Sequence, residues 1–258
     1  MIEEGCKISL CDKPIPSYDG FSWEQVKNVK IIESGEALVP LSLIPGKLLV
    51  RPQYYLQKIE GALPECFIRE GNLRRLINVA EKLPAGYKLL IFDAWRSERV
   101  QVSLFSEYYR ELRNEMPDKD EEELIDLTKE FVALPSSDPG APSPHLTGGA
   151  VDLTIVDDKG KMLNMGTAFD DTTDKSYTGY FEELAKNKKL TEEEKTILHN
   201  RRLLYHLMSD EGFTNYPPEW WHFDFGNQNW AWVKNKGQHA IYGNTSPRLR
   251  WINRAISV

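Results

Sequence analysis

The sequence predicts a fold that combines strands with long helices, and three observations lead there. Segments 87–93, 150–156 and 219–225 have strand character, long stretches between them have helical periodicity, and turn formers separate the two kinds of segment. An α+β arrangement, a small and mostly antiparallel sheet with helices packed on it, accommodates that order. A parallel α/β sheet accommodates it equally well. At 258 residues and 41% hydrophobic content, the chain can bury a core of one large domain.

Taken in order, residues 1–45 are rich in turn formers (Pro14, Pro16, Gly20, Gly35, Pro40, Pro45), with brief apolar alternations such as Val29-Lys30-Ile31. This predicts an irregular N-terminal extension packed on a core domain spanning 46–258. Over 72–83, Leu73, Leu76, Ile77, Ala80 and Leu83 form one helical stripe that Pro84 closes, and 87–93 then reads as a buried strand. Helical spacing returns over 97–114 and again over the acidic stretch 118–133. The run from Asp120 to Glu123 reads as a solvated helix start, favoured there by the helix dipole. Segment 135–144 holds four prolines and a glycine and must be a loop, after which 150–156 alternates as a strand. Thr191 caps a helix over 191–211, with Glu192, Glu193 and Glu194 in its first turn. Ile197, Leu203, Leu204, Leu207 and Met208 supply its apolar face, and Gly212 ends it. A turn over 215–218 leads into the aromatic strand candidate 219–225.

Composition excludes several classes. The formal net charge of −7 argues against a nucleic-acid partner, which calls for a basic face, and favours a small polar or cationic substrate. No stretch approaches the roughly 20 apolar residues of a membrane span. Cys6, Cys11 and Cys66 form no CxxC pair and suggest ordinary thiols of a reducing compartment. The acidic start lacks the apolar run of a signal peptide, so the chain reads as cytoplasmic, although one trimmed of its export signal would look the same. A homo-oligomer stays open. His199, His206 and His239 read as structural or surface residues.

Chemistry concentrates in two motifs. In Ser143-Pro-His-Leu-Thr-Gly-Gly-Ala-Val-Asp152, a histidine and an aspartate flank a Gly-Gly pair, and the loop-to-strand turn lets both side chains converge. In Glu219-Trp-Trp-His222, strand periodicity would put Glu219 and His222 on opposite faces unless the segment bulges. Joined, the motifs offer His145, Asp152 and His222 as three ligands for one Zn2+ per chain, with a fourth position left for water. That is how catalytic zinc sites are built. Glu219 is the spare carboxylate. Zinc lowers the pKa of bound water toward about 7, and an adjacent carboxylate can take its proton and pass it to a leaving amine.

These motifs resemble the zinc D-alanyl-D-alanine dipeptidases, the VanX type of peptidase family M15. Asp93-Ala-Trp-Arg96, Met165-Gly-Thr-Ala-Phe-Asp170 and Asn200-Arg-Arg-Leu-Leu resemble further elements of that family in the same order, over roughly residues 70–230. The resemblance implies the M15, hedgehog-like α+β fold with the zinc site on its sheet, and so decides against the parallel alternative. It implies a small dipeptide substrate, Glu219 as general base and Arg96 stabilising the oxyanion. A fixed guanidinium suits that charge, the plainer reading being an ion pair with Glu98 or Asp93. It also implies Ser143 near the substrate and Asp170 pairing with the dipeptide's free ammonium, although Asp171 and Asp174 lie close by. Trp95 and Pro144 depart from the family pattern, and Pro144 restricts Ser143. A tyrosine beside the substrate amine would be Tyr54 or Tyr55. The alternatives are a D,D- or L,D-carboxypeptidase trimming peptidoglycan stems, and a zinc-binding module without catalysis.

Overall fold

A computed structural model describes residues 8–17, 20–132, 135, 136, 138–234 and 237–248. Short helices α1 (Ile8–Asp12) and α2 (Trp23–Val26) precede strands β1 (Leu38–Pro40) and β2 (Leu48–Val50), then helix α3 (Gln53–Leu56) and strand β3 (Phe67–Arg69). Helix α4 (Glu70–Glu81), strand β4 (Lys88–Asp93) and helices α5 (Glu98–Glu115) and α6 (Glu121–Phe131) follow. After the central strand β5 (Ala150–Val156) come helices α7 (Tyr180–Asn187) and α8 (Glu192–Asp210), strands β6 (Thr214–Asn215) and β7 (His222–Asp224), and helix α9 (Gln228–Lys234).

Five strands form one sheet in the order β2-β4-β5-β7-β6, while β1 and β3 pair in a separate ribbon. Only β2 and β4 run parallel; the other neighbours are antiparallel. The fold is therefore α+β with a small, mostly antiparallel sheet. Every residue of β5, which has neighbours on both edges, is buried, so both faces of this central strand are covered. Val151, Leu153 and Ile155 share one apolar cluster with Leu76 and Val79 of α4 and Leu203, Leu204 and Leu207 of α8. Truncating Leu153 to alanine is expected to cost about 2–5 kcal/mol, read as a lower urea midpoint with an unchanged slope.

The predicted helices form for the anticipated reasons. Capping boxes start α6 at Asp120 with Glu123 and α8 at Thr191 with Glu194, and Ser97 caps α5. The helix predicted over 118–133 runs to Phe131, and position 133 lies outside the described residues, as do Cys6 and residues 1–7. Cys11 and Cys66 are buried. Residues near 30–34 hydrogen-bond with 240–243, Ile32 N–H donating to Ala240 O at 2.8 Å and Ser34 N–H to Ile241 O at 2.9 Å. Among the described residues, no helix is long and apolar enough to cross a membrane.

One expected strand is shorter than its aromatic composition suggested. Residues 219–221 form a turn, and β7 begins only at His222. Glu219 N–H donates to Tyr216 O and Trp220 N–H to Ser176 O, so these amides are used outside any ladder.

Candidate metal centre

The sheet register assembles the centre. Asp93 at the end of β4 lies opposite Asp152 on β5, and Asp152 lies opposite His222 on β7, so three functional side chains form one cross-strand row. A register shift between Ile91 and Asp93 brings Asp93 into that row, the kind of bulge that re-aims a side chain at a site.

His145 reaches the row from a 3-10 turn, Pro144–Thr147, that Ser143 precedes and Gly148 ends with φ 67°. A Cβ at Gly148 would collide with the Leu38 side chain, and its left-handed backbone favours glycine independently. Ser143 is buried in the extended conformation that a following proline imposes, and its hydroxyl does not cap the turn.

His145, Asp152 and His222 are all buried, with ligand atoms within 4.8 Å of one another. His145 Nε2 lies 3.4 Å from Asp152 Oδ2 and 3.2 Å from His222 Nδ1, which is itself 3.1 Å from Asp152 Oδ1. The outer nitrogens face oxygens: His145 Nδ1 lies at hydrogen-bond distance, 2.6 Å, from Ala94 O, while His222 Nε2 lies 3.1 Å from Asp224 Oδ1 without the angles of a hydrogen bond. The Ala94 carbonyl fixes the His145 tautomer that presents its inner nitrogen to a metal. Asp152 Oδ1 is buried and makes no hydrogen bond among the described residues. A cation between the three side chains would satisfy it, so the donor set fits a metal ion.

The electrostatics agree. Burial, with Arg96 and His222 nearby, holds the His145 pKa well below the ordinary histidine value, leaving it neutral and able to ligate. Burial would lower His222 too, but Asp224 and Asp152 outweigh it and raise its pKa well above the ordinary value. In the metal-free protein His222 therefore carries a proton that a metal must displace.

Glu219 stands beside the cluster and outside it. Its Oε2 is 3.7 Å from His222 Nδ1, and a quarter of its side chain remains exposed. Burial raises its pKa to about 7, with Asp152 adding to the rise and His222 opposing it. The turn over 219–221 removes the difficulty that strand periodicity posed, since it brings Glu219 Oε2 and His222 Nδ1 together on one side.

Arg96 is nearly buried, with Nε 3.5 Å from Asp93 Oδ2 and its guanidinium over the Tyr54 ring at 5.2 Å. Burial alone would lower its pKa, but Tyr54, Asp93, Asp152 and Asp170 raise it above the usual arginine value. The plainer expectation, an ion pair with Asp93, is thus present inside the site. Asp93 is itself raised to about 7, by burial first and by Asp152, against the pull of Arg96.

Among the three neighbouring acids, Asp170 is the one turned toward the site. Its Oδ1 accepts a 3.2 Å hydrogen bond from the Tyr54 hydroxyl, whereas Asp171 accepts from Thr173 N and Asp174 starts a 3-10 turn. The Asp170 backbone is left-handed, φ 62°, a conformation that costs a non-glycine residue energy and is tolerated best by Asn and Asp. Tyr55 is exposed, which leaves Tyr54 as the tyrosine of the site. Trp95 turns elsewhere, its indole donating to Thr245 O at 2.8 Å. His206 is occupied by Lys13 O at 2.8 Å.

Asp224 was not anticipated as a site residue. Its signal was present all the same: in a strand, the second residue after a ligand returns to the same face.

A mixed sheet bearing a buried His–Asp–His cluster, an adjoining carboxylate and a fixed guanidinium outlines a metal-dependent hydrolase. The family model for D-ala-D-ala dipeptidase, of peptidase family M15, matches residues 70–240. A D-alanyl-D-alanine dipeptidase of Synechocystis sp. is 30% identical over 81% of this chain and 89% of its own length. Enzymes of the same name from Escherichia coli and Enterococcus faecium are 28% and 32% identical, over 59% and 54% of this chain and 61% and 62% of theirs. The chain belongs to the D-Ala-D-Ala dipeptidase family of M15 metallopeptidases.

Proposed function

We propose that the protein is a zinc dipeptidase that hydrolyses D-alanyl-D-alanine, holding one zinc ion on His145, Asp152 and His222. Two imidazoles, one carboxylate and an open fourth position are the donor set of a catalytic zinc site. Bound there, zinc would act as a Lewis acid that makes a water more acidic and polarises the scissile carbonyl. Glu219 takes the proton of the attacking water and returns it to the leaving amine. Arg96 meets the negative charge that develops on the carbonyl oxygen. Asp170, oriented by Tyr54, pairs with the free ammonium of the dipeptide, and Ser143 lies along the bound substrate.

The observation that carries the reading is the Tyr54–Asp170 hydrogen bond next to the metal cluster and Arg96. A carboxylate held by Tyr54 on the same side as Arg96 would select for a short substrate with an unblocked amine. The test measures hydrolysis of D-Ala-D-Ala, its N-acylated form and L-Ala-L-Ala, alongside metal analysis. Cleavage of the free D,D-dipeptide alone is expected. Equal cleavage of the acylated form would overturn the dipeptidase reading in favour of a carboxypeptidase.

Because His222 holds a proton that the metal displaces, zinc affinity is expected to weaken as pH falls, by about tenfold per pH unit for one displaced proton. Chelator competition between pH 8 and pH 6 checks this, and a pH-independent affinity would show that no proton leaves His222 when zinc binds.

A further inference from the structure

Helix α8 carries a buried cation that the proposed mechanism does not use. Arg201 is 2% exposed and, among the described residues, has no carboxylate at ion-pair distance, only the longer-range charge of Asp171. Its side-chain hydrogen bonds all go to backbone carbonyls of one segment, while the Phe181 ring lies 4.9 Å from the guanidinium. Nε donates to Met165 O at 2.8 Å, while the two terminal nitrogens donate to Tyr177 O at 2.5 Å and Lys175 O at 2.6 Å. Those three carbonyls bracket the stretch 165–177, at whose centre Asp170 sits in its left-handed conformation.

Neighbouring bonds tighten the same stretch. Asn200, the residue before Arg201, donates to Asn164 O at 2.8 Å just upstream of it. The Trp220 indole, 5.9 Å beneath the guanidinium, donates to Thr167 Oγ1 at 2.8 Å. Trp220 follows Glu219 directly, and its backbone N–H donates to Ser176 O within the bracketed segment. One planar fork thus joins both ends of the Asp170 loop and lies against the turn bearing the base. Only arginine supplies so many divergent donors from one rigid group.

We propose that Arg201 is a positioning residue: from α8 it clamps both ends of the loop 165–177 and so fixes where the Asp170 carboxylate meets the substrate ammonium. The enzyme's demand for a free amine is then set from behind the site by a residue that never touches substrate. This rests on the reading of Asp170 as the partner of that amine.

The test compares Arg201→Lys, Thr167→Val and Asp170→Asn in the zinc-loaded full chain. It measures kcat and KM on D-Ala-D-Ala and on its N-acylated form, with bound zinc and the thermal midpoint recorded alongside. Lysine keeps the charge but cannot reach three divergent carbonyls. Arg201→Lys is expected to raise KM for the free dipeptide about tenfold, with kcat changed less than about threefold, and to shrink the preference for the free amine by a similar factor. Bound zinc should be unchanged. Thr167→Val, which breaks only the Trp220 bond, should move both quantities in the same direction by about threefold, and it decides the matter if Arg201→Lys does not fold. A lowered thermal midpoint with unaltered KM and amine preference overturns the proposal, since that is all a purely structural arginine would give. Should Asp170→Asn leave the amine preference intact, the amine-partner reading falls and the proposal falls with it. Should Asp170→Asn abolish the preference while Arg201→Lys and Thr167→Val do not, the positioning role alone is refuted.

Discussion

Replacing Glu219, the proposed general base, by glutamine is expected to lower kcat by about 10²–10⁴-fold while zinc stays bound, the range that a single such base contributes. The separation of the two effects follows from geometry. Glu219 Oε2 lies 3.7 Å from His222 Nδ1, and Glu219 is not among the three side chains whose ligand atoms converge. Glutamine preserves its shape and much of its hydrogen bonding, so the change isolates the proton acceptor. Its pKa of about 7 in the metal-free protein suits a group that must take a proton from water and return it to an amine. Metal analysis together with kcat decides the matter. Full activity in a zinc-loaded Glu219→Gln protein would remove Glu219 from the chemistry, and loss of zinc would make it a ligand instead.

Arg96→Ala is expected to lower kcat by about 10²–10³-fold with a smaller change in KM, because its interaction with the oxyanion exists only once negative charge develops. The guanidinium costs nothing to reorganise at that moment, being held already by Asp93 and stacked on Tyr54. Arg96→Lys should recover only part of the loss, since an ammonium has neither the planar fork nor the stacking. The substitution also leaves Asp93 buried beside Asp152 without its cation, so some loss of stability should accompany the kinetic effect. A raised KM at unchanged kcat would assign Arg96 to substrate binding and refute the oxyanion role.

Much of the fold could be read from the chain, unevenly and for identifiable reasons. Strand β5 and helices α4 and α8 carry long apolar patterns, and these survive folding because the faces they mark join the one cluster that covers the sheet, while α5 and α8 announce their starts with the caps Ser97 and Thr191. Strands β1, β2 and β3 span three residues each, too few for a period of two to declare itself, and β2 exists only through its parallel pairing with β4. The misread segment 219–221 is aromatic enough to be a strand. Its backbone instead serves a turn whose partners, Tyr216 and Ser176, include one far away in sequence. A twist or bulge in that segment was one way for Glu219 and His222 to share a face; the structure uses a turn there and has its register shift in β4, next to Asp93.

The candidate site was more legible than the fold around it. His145, Asp152 and His222 stand in two compact motifs whose side chains the structure brings within ligand distance. Tyr54 could not be separated from Tyr55 by pattern, because both sit on the four-residue helix α3 and only burial distinguishes them. The choice among Asp170, Asp171 and Asp174 likewise depends on which carboxylate a distant tyrosine reaches.

The cross-strand row of Asp93, Asp152 and His222 ties the metal centre to strand alignment. A slip of one residue between β5 and β7 would send one ligand to the opposite face of the sheet. Length changes in the surface connections leave that alignment untouched, whereas a single insertion inside β5 would dismantle the centre even if the chain still folded. Chelatable zinc would therefore serve as a proofreader of correct pairing, counting only those molecules whose central strands have docked in register.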